Sequence, residues 1–238
     1  MLRRASLDLR GLPPAPEELD EFLSDAAPDA YDRLIDRLLA SAAYGERWGR
    51  HWLDVAGYAD SDGYTDADMP RPYSYKYRDY VIRAFNADKP FDQFIQEQLA
   101  GDELVARTPA NLRPDEIEKL TATGFLRMGA DGTGARNVDI NVASNQAIAE
   151  TIKIVSTSLL GLSVGCAQCH DHRYDPILQS DYYRLRAIVE PAYDWKHWRK
   201  PAERLVSLYT DADRAKAAAV EAEASKLAKE RELKQTEY

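Results

Sequence analysis

The chain has 238 residues, 45% of them hydrophobic and 30% charged, with a formal net charge of −9. This length fits one large domain, or one domain with an appendage, and the apolar content suffices for a sizeable core. The acidic balance disfavours general binding to nucleic acid or anionic membranes, both of which need basic patches, and no apolar run is long enough to span a bilayer.

Met1-Leu2-Arg3-Arg4 has the paired arginines of a twin-arginine leader, but Asp8 and Arg10 interrupt the apolar stretch a leader needs. No signal peptide is expected in this piece. Proline and acid from Pro13 to Glu18 predict a helix start, with a short helix through Leu19, Phe22 and Leu23. Pro28-Asp29 opens a second helix, whose Tyr31, Leu34, Ile35, Leu38 and Leu39 form a helical stripe. Ser41 can cap a third, carrying Tyr44, Trp48, His51, Trp52 and Val55 on one face. An acidic, turn-rich loop runs from Asp60 to Pro72. Helices are then expected from Ser74 to Phe85, after Pro90 with Phe91, Phe94, Ile95 and Leu99, and after Arg113-Pro114-Asp115-Glu116 through Ile117, Leu120 and Leu126. Residues 129–134 are a glycine-rich loop. A long, mostly apolar helix from Val138 to Leu162 follows, and Ser180 is expected to cap a last core helix of Tyr182, Tyr183, Leu185 and Ile188. Alternating patterns are scarce. The reading is all-α: an irregular multi-helix globular domain over residues 1–200, then a charged helical linker or coiled-coil start over 201–238. Val220 and Leu227 stand a heptad apart in that extension, but its partner positions are weak, which favours a solvated helix.

The two cysteines of the chain fall in Cys166-Ala167-Gln168-Cys169-His170. This C-x-x-C-H string is the attachment signature of c-type haem. Thiols three residues apart on a helical turn share a face, where each can add to a vinyl group of one porphyrin, and the adjoining imidazole can ligate the iron. Cys166 and Cys169 are therefore the candidate cofactor-binding residues and His170 the proximal iron ligand, with one covalent haem c per chain. A thioredoxin-like couple would want a βαβ context, and a structural zinc site would want a second cysteine pair. A coincidental or decayed motif also stays open. Gly161 and Gly165 would let a flat ring approach the backbone.

Five stretches share a family pattern. They are Arg10 to Pro14 (RGLPP), Tyr44 to Trp48 (YGERW), His51 to Asp54 (HWLD), Ala122 to Leu126 (ATGFL) and Cys169 to Pro176 (CHDHRYDP). In this order they resemble the secreted planctomycete cytochrome-like family, specifically its middle domain of unknown function, over most of residues 1–200. In that family the domain follows an N-terminal cytochrome c-like domain and precedes another uncharacterised domain across a helical linker. The resemblance implies an exported protein, periplasmic or extracellular, that carries haem and of which this chain is an internal piece. It implies no defined activity.

For the distal iron position, His51 ranks first, in a pocket walled by Trp48 and Trp52, and Met69 second, from a loop able to fold over a haem edge. The competing reading of His51 is a hydrogen-bonded core histidine. Met128 is assigned to the core. His172 stands too near His170 to reach the opposite porphyrin face and suits a propionate contact or a surface role. His197 is expected in a packed corner, and Asp171 and Asp175 as turn formers, with a small His172–Asp175 metal site as the alternative. Asp60, Asp62, Asp66 and Asp68 miss the EF-hand pattern and read as a solvated loop. The glycine-rich loop lacks the context of a P-loop or Rossmann turn. Tyr73, Tyr75, Tyr77 and Tyr80 read as half core and half surface. The leading function is a c-type haem-binding electron-transfer module, with an adjacent cytochrome c domain or another redox protein as partner. The alternatives are a haem- or metal-dependent enzyme with an open iron position, and a helical scaffold without haem.

Overall fold

The computed structural model describes residues 1–63, 68–105 and 111–236. Among these residues there are ten α-helices joined by 3₁₀ turns and no strand, only an isolated bridge between Ser61 and Pro70. The all-α expectation holds.

Helix α1 (Leu2–Arg10) was not anticipated, because the opening residues were weighed only as a leader. Leu2 and Ala5 bury against Leu34 and Leu38 of α3 (Ala30–Leu39), with Phe22 of α2 (Pro16–Ser24) alongside. Gly11 ends α1 in the left-handed region at φ 71°, a conformation that costs glycine nothing. Arg10 then clamps Glu18 through two hydrogen bonds of 2.9 and 2.8 Å. Glu18 also accepts the Ala15 N–H at 2.9 Å. The Arg10 guanidinium, with this backbone donor, holds its carboxyl below the ordinary value.

Helix α4 (Ala42–Ala56) buries a different face from the one expected. Trp48 and Val55 are 38% and 50% exposed and His51 is exposed, whereas Gly45, Gly49, Trp52 and Ala56 face inward. The reason is proximity to α5 (Ser74–Asn86). A Cβ at Gly45 would lie 2.4 Å from the Ile82 carbonyl oxygen, and the Gly45 N–H donates to Asn86 Oδ1 at 2.8 Å. Large residues cannot occupy that seam.

The central core gathers Trp52, Tyr77, Tyr80, Val81, Phe94, Phe125, Met128 and Val155. Tyr77 and Tyr80 are buried while Tyr73 and Tyr75 are exposed, dividing the tyrosine cluster as expected. Helix α6 (Phe91–Ala100) exposes Phe91 and Leu99 and buries Glu97 and Gln98 instead. Those polar groups meet hydroxyls. Trp52 Nε1 donates to Tyr77 Oη at 3.0 Å, Tyr77 Oη donates to Gln98 Oε1, and Tyr80 Oη donates to Glu97 Oε2 at 2.8 Å, beside the Lys89 ammonium. Burial, with Glu97 opposite, pushes the Tyr80 hydroxyl far up.

After α7 (Pro114–Ala122) and the 3₁₀ turn Thr123–Arg127, α8 (Ile140–Leu160) forms a wall between two cores. Val155 and Ile154 pack on the central core, whereas Ile148 and Ile152 join Val164, Ala167, Tyr182 and Tyr193 in a second one. Asp139 caps α8 by accepting the Asn141 N–H at 2.9 Å. Helix α9 (Gln179–Val189) begins after Leu178; Ser180 lies inside its first turn, and Asp181 accepts the Leu178 N–H at 3.0 Å in its place. The final helix, α10 (Asp211–Thr236), leaves Val220, Leu227 and Leu233 exposed, as a solvated helix does.

The acidic loop is not uniformly solvated. Asp62 is buried and pairs with Arg71 at 2.8 Å, Asp60 accepts from Tyr58 and Ser74, and Asp68 accepts the Gly63 N–H. Asp66 lies outside the described residues. His197 is exposed beside Asp194 rather than packed in a corner.

Candidate functional site: the C-x-x-C-H turn

Gly161 stops α8 in the left-handed region at φ 65°, and a 3₁₀ turn over Val164–Gln168 follows at once. Its apolar members, Val164 and Ala167, enter the second core, while Cys166, Cys169 and His170 stay on the exposed side. Both cysteines are free thiols. Gly161 has open space where a Cβ would be, but the missing Cβ of Gly165 faces Lys153 of α8 at 3.4 Å, so that glycine serves helix contact.

The imidazole of His170 is oriented by one hydrogen bond. Its Nδ1 lies 2.8 Å from the carbonyl oxygen of Asp171. A carbonyl only accepts, so the ring hydrogen sits on Nδ1 and Nε2 keeps a bare lone pair. This is the tautomer a metal-binding histidine takes when the other nitrogen is tied to the backbone.

His172 has the opposite role, and its expected surface position is corrected. Its side chain is only 8% exposed. Nδ1 accepts the N–H groups of Asp175 at 2.9 Å and Tyr174 at 3.3 Å, so its hydrogen is on Nε2, which donates to Ser163 Oγ at 2.9 Å. One ring therefore ties the residue before the turn to the loop after it. Asp171 Oδ1 accepts the Gln179 N–H at 2.8 Å, and Gln179 and Tyr183 both donate to the Gln168 carbonyl, which pins the turn to α9. Asp171 and Asp175 shape the loop. Among the described residues no three His, Cys, Asp or Glu side chains gather closely enough to hold a metal ion.

The expected distal residues lie elsewhere. His51 packs its ring 5.4 Å from that of Trp48 on the exposed side of α4, and it is not a core histidine. Met69 is half exposed in the loop before α5, where its carbonyl accepts the Asp62 N–H at 2.9 Å. Among the described residues no hydrogen bond or ring contact joins either side chain to the turn. Met128 is buried in the central core, as expected. Sequence reasoning missed the organising role of His172, because its main partners are backbone amides.

Fold and site together define an all-α domain that displays a C-x-x-C-H segment on its surface, with the intervening alanine as its inward anchor. The chain matches the family model PSCyt2, described as a protein of unknown function (DUF1549), over residues 1–194, and it belongs to that family. No curated protein and no solved structure matches it. No helix among the described residues is long and apolar enough to cross a membrane.

Proposed function

We propose that this domain is a c-type haem-binding electron-transfer module of a larger exported protein, carrying one covalent haem c. The observation that carries the reading is His170: Nδ1 is bound to the Asp171 carbonyl, Nε2 is free, and the two thiols of the same C-x-x-C-H segment are exposed. The residues fit the group. Cys166 and Cys169 would hold the porphyrin through thioether bonds, His170 Nε2 would ligate the iron, and the bound group would supply one-electron transfer. The hydrogen bonds of His172 and Asp171 keep this segment in place. An adjacent cytochrome c domain of the parent chain, or a separate redox protein, is the partner this function requires.

Intact-mass measurement after co-expression with haem-maturation machinery tests the proposal. The expected result is a gain of one haem mass, abolished by the Cys166→Ser, Cys169→Ser double variant. A mature chain at the mass of the bare polypeptide overturns it.

A second reading, a haem-dependent enzyme with an open iron position, draws support from the exposed, Trp48-packed position of His51, which removes the argument that ranked it as distal ligand. A high-spin spectrum with rapid carbon monoxide binding favours that reading, and a low-spin spectrum resistant to it favours electron transfer.

A further inference from the structure

Arg127 closes the 3₁₀ turn that precedes the glycine-rich loop. Its guanidinium carbon lies 4.2 Å from the ring centre of Tyr193 and 5.6 Å from that of Trp198, and these rings stack 5.9 Å apart at 10°. Arg204 approaches the Trp198 ring as well, at 5.1 Å. Ring faces attract a cation, but they leave its N–H edge without an acceptor.

No acceptor within the described residues takes that edge. Arg127 forms no hydrogen bond or ion pair among them. The nearby carboxylate, Asp131, is already engaged by Arg204 and by the N–H and hydroxyl of Thr133. Arg204 also donates to the Arg199 carbonyl at 2.7 Å. The indole Nε1 of Trp198 is buried and lacks an acceptor among the described residues. Burial and the neighbouring charge of Arg204 pull the Arg127 guanidinium down to about 10. A buried donor left without a partner is costly. Here that one buried indole donor and the unpartnered, solvent-reached edge of the Arg127 guanidinium flank one aromatic stack, in a chain of net charge −9.

We propose that Arg127 and the Trp198 indole N–H form a receptor for one oxyanion group, a carboxylate or phosphate. A guanidinium edge suits such a group because its paired N–H donors match two oxygens. Arg199 adds positive potential nearby, whereas the charge of Arg204 is offset by its ion pair with Asp131. The occupant comes either from a small molecule or from the propionate of a bound haem, since Trp198 packs against the same core as Ala167 of the C-x-x-C-H turn. The receptor itself does not depend on haem being present.

The test follows the indole ¹⁵N–¹H resonance of Trp198 in the full chain, assigned through Trp198→Phe, during titration with inorganic phosphate and then acetate. Sodium chloride at matched ionic strength is the control. In the haem-free chain a saturable shift with phosphate or acetate, absent with chloride, is expected. Arg127→Gln should weaken it by roughly tenfold or more, the worth of a charge-assisted hydrogen bond. Arg127→Lys, which keeps the charge but not the fork, should weaken it too, and guards against a folding defect in the glutamine variant. A haem-loaded chain that still responds takes an external anion; one whose Trp198 resonance is already displaced and no longer responds holds a propionate there. No saturable shift in the haem-free chain, or an equal shift in wild type and both Arg127 variants, overturns the proposal.

Discussion

Replacing Gly45 by alanine should destabilise the protein even though alanine is the better helix former. The new methyl would sit 2.4 Å from the Ile82 carbonyl oxygen and 2.6 Å from Asn86, closer than real Cβ contacts allow. Forcing α4 and α5 apart costs about 1–3 kcal/mol, the range for overpacking a tight core. It also strains the 2.8 Å hydrogen bond from the Gly45 N–H to Asn86, worth about 1 kcal/mol. Helix propensity returns about 1 kcal/mol. The net loss is about 1–3 kcal/mol, a fall in Tm of roughly 2–12 °C for a domain of this size. Gly49→Ala is the matched control. Its methyl would meet Val81 Cγ1 at 3.4 Å, near ordinary contact, so propensity dominates and Tm should hold or rise by a few degrees. Thermal unfolding of both variants followed by circular dichroism is the assay. If Gly45→Ala melts at or above the wild type, or if the two variants move together, the close approach of α4 and α5 is not what selects glycine there.

Two further outcomes follow from the same geometry. His172→Ala removes the acceptor for two backbone N–H groups and the donor to Ser163, so amide exchange at Tyr174 and Asp175 should accelerate by at least about tenfold while α5 amides stay protected; unchanged exchange would mean the loop holds itself. Burial alone would raise the Asp131 carboxyl, but Arg204 and the Thr133 donors outweigh it and hold the group below its ordinary value of 3.8. Its contribution to stability is therefore full above that value and is lost as pH falls through the lower folded value. Wild type should lose stability more steeply than Asp131→Asn between about pH 4 and 2 in urea titrations, and parallel curves would refute the assignment.

Segments whose contacts come from large apolar residues at helical spacing were legible. Leu34 and Leu38 of α3 are buried where periodicity places them, and the tyrosine cluster of α5 divides between core and surface, with Tyr77 and Tyr80 inside. The inner face of α4 was not, because its seam is made by Gly45, Gly49 and Ala56, which contribute little to a hydrophobic pattern. On α6 only Phe94 was legible: Glu97 and Gln98 bury because two tyrosine hydroxyls on α5 meet them, a pairing visible only once both helices are placed. The C-x-x-C-H string is read from local spacing alone, whereas its exposed position on a 3₁₀ turn comes from the fold. The aromatic stack that receives Arg127 joins residues more than 60 positions apart, and nothing local announces it.

The inward alanine and outward sulfurs of the 3₁₀ turn affect the order of events in the life of the chain. Ala167 is fully buried and anchors the turn, whereas Cys166 and Cys169 contribute nothing to the core behind it. Any reaction at the two thiols can therefore take place on the finished fold, without a helix being opened to admit the reagent. Conversely, the polypeptide can reach its native packing before either sulfur has reacted. Folding and modification are separable steps here, each open to its own catalyst and its own timing.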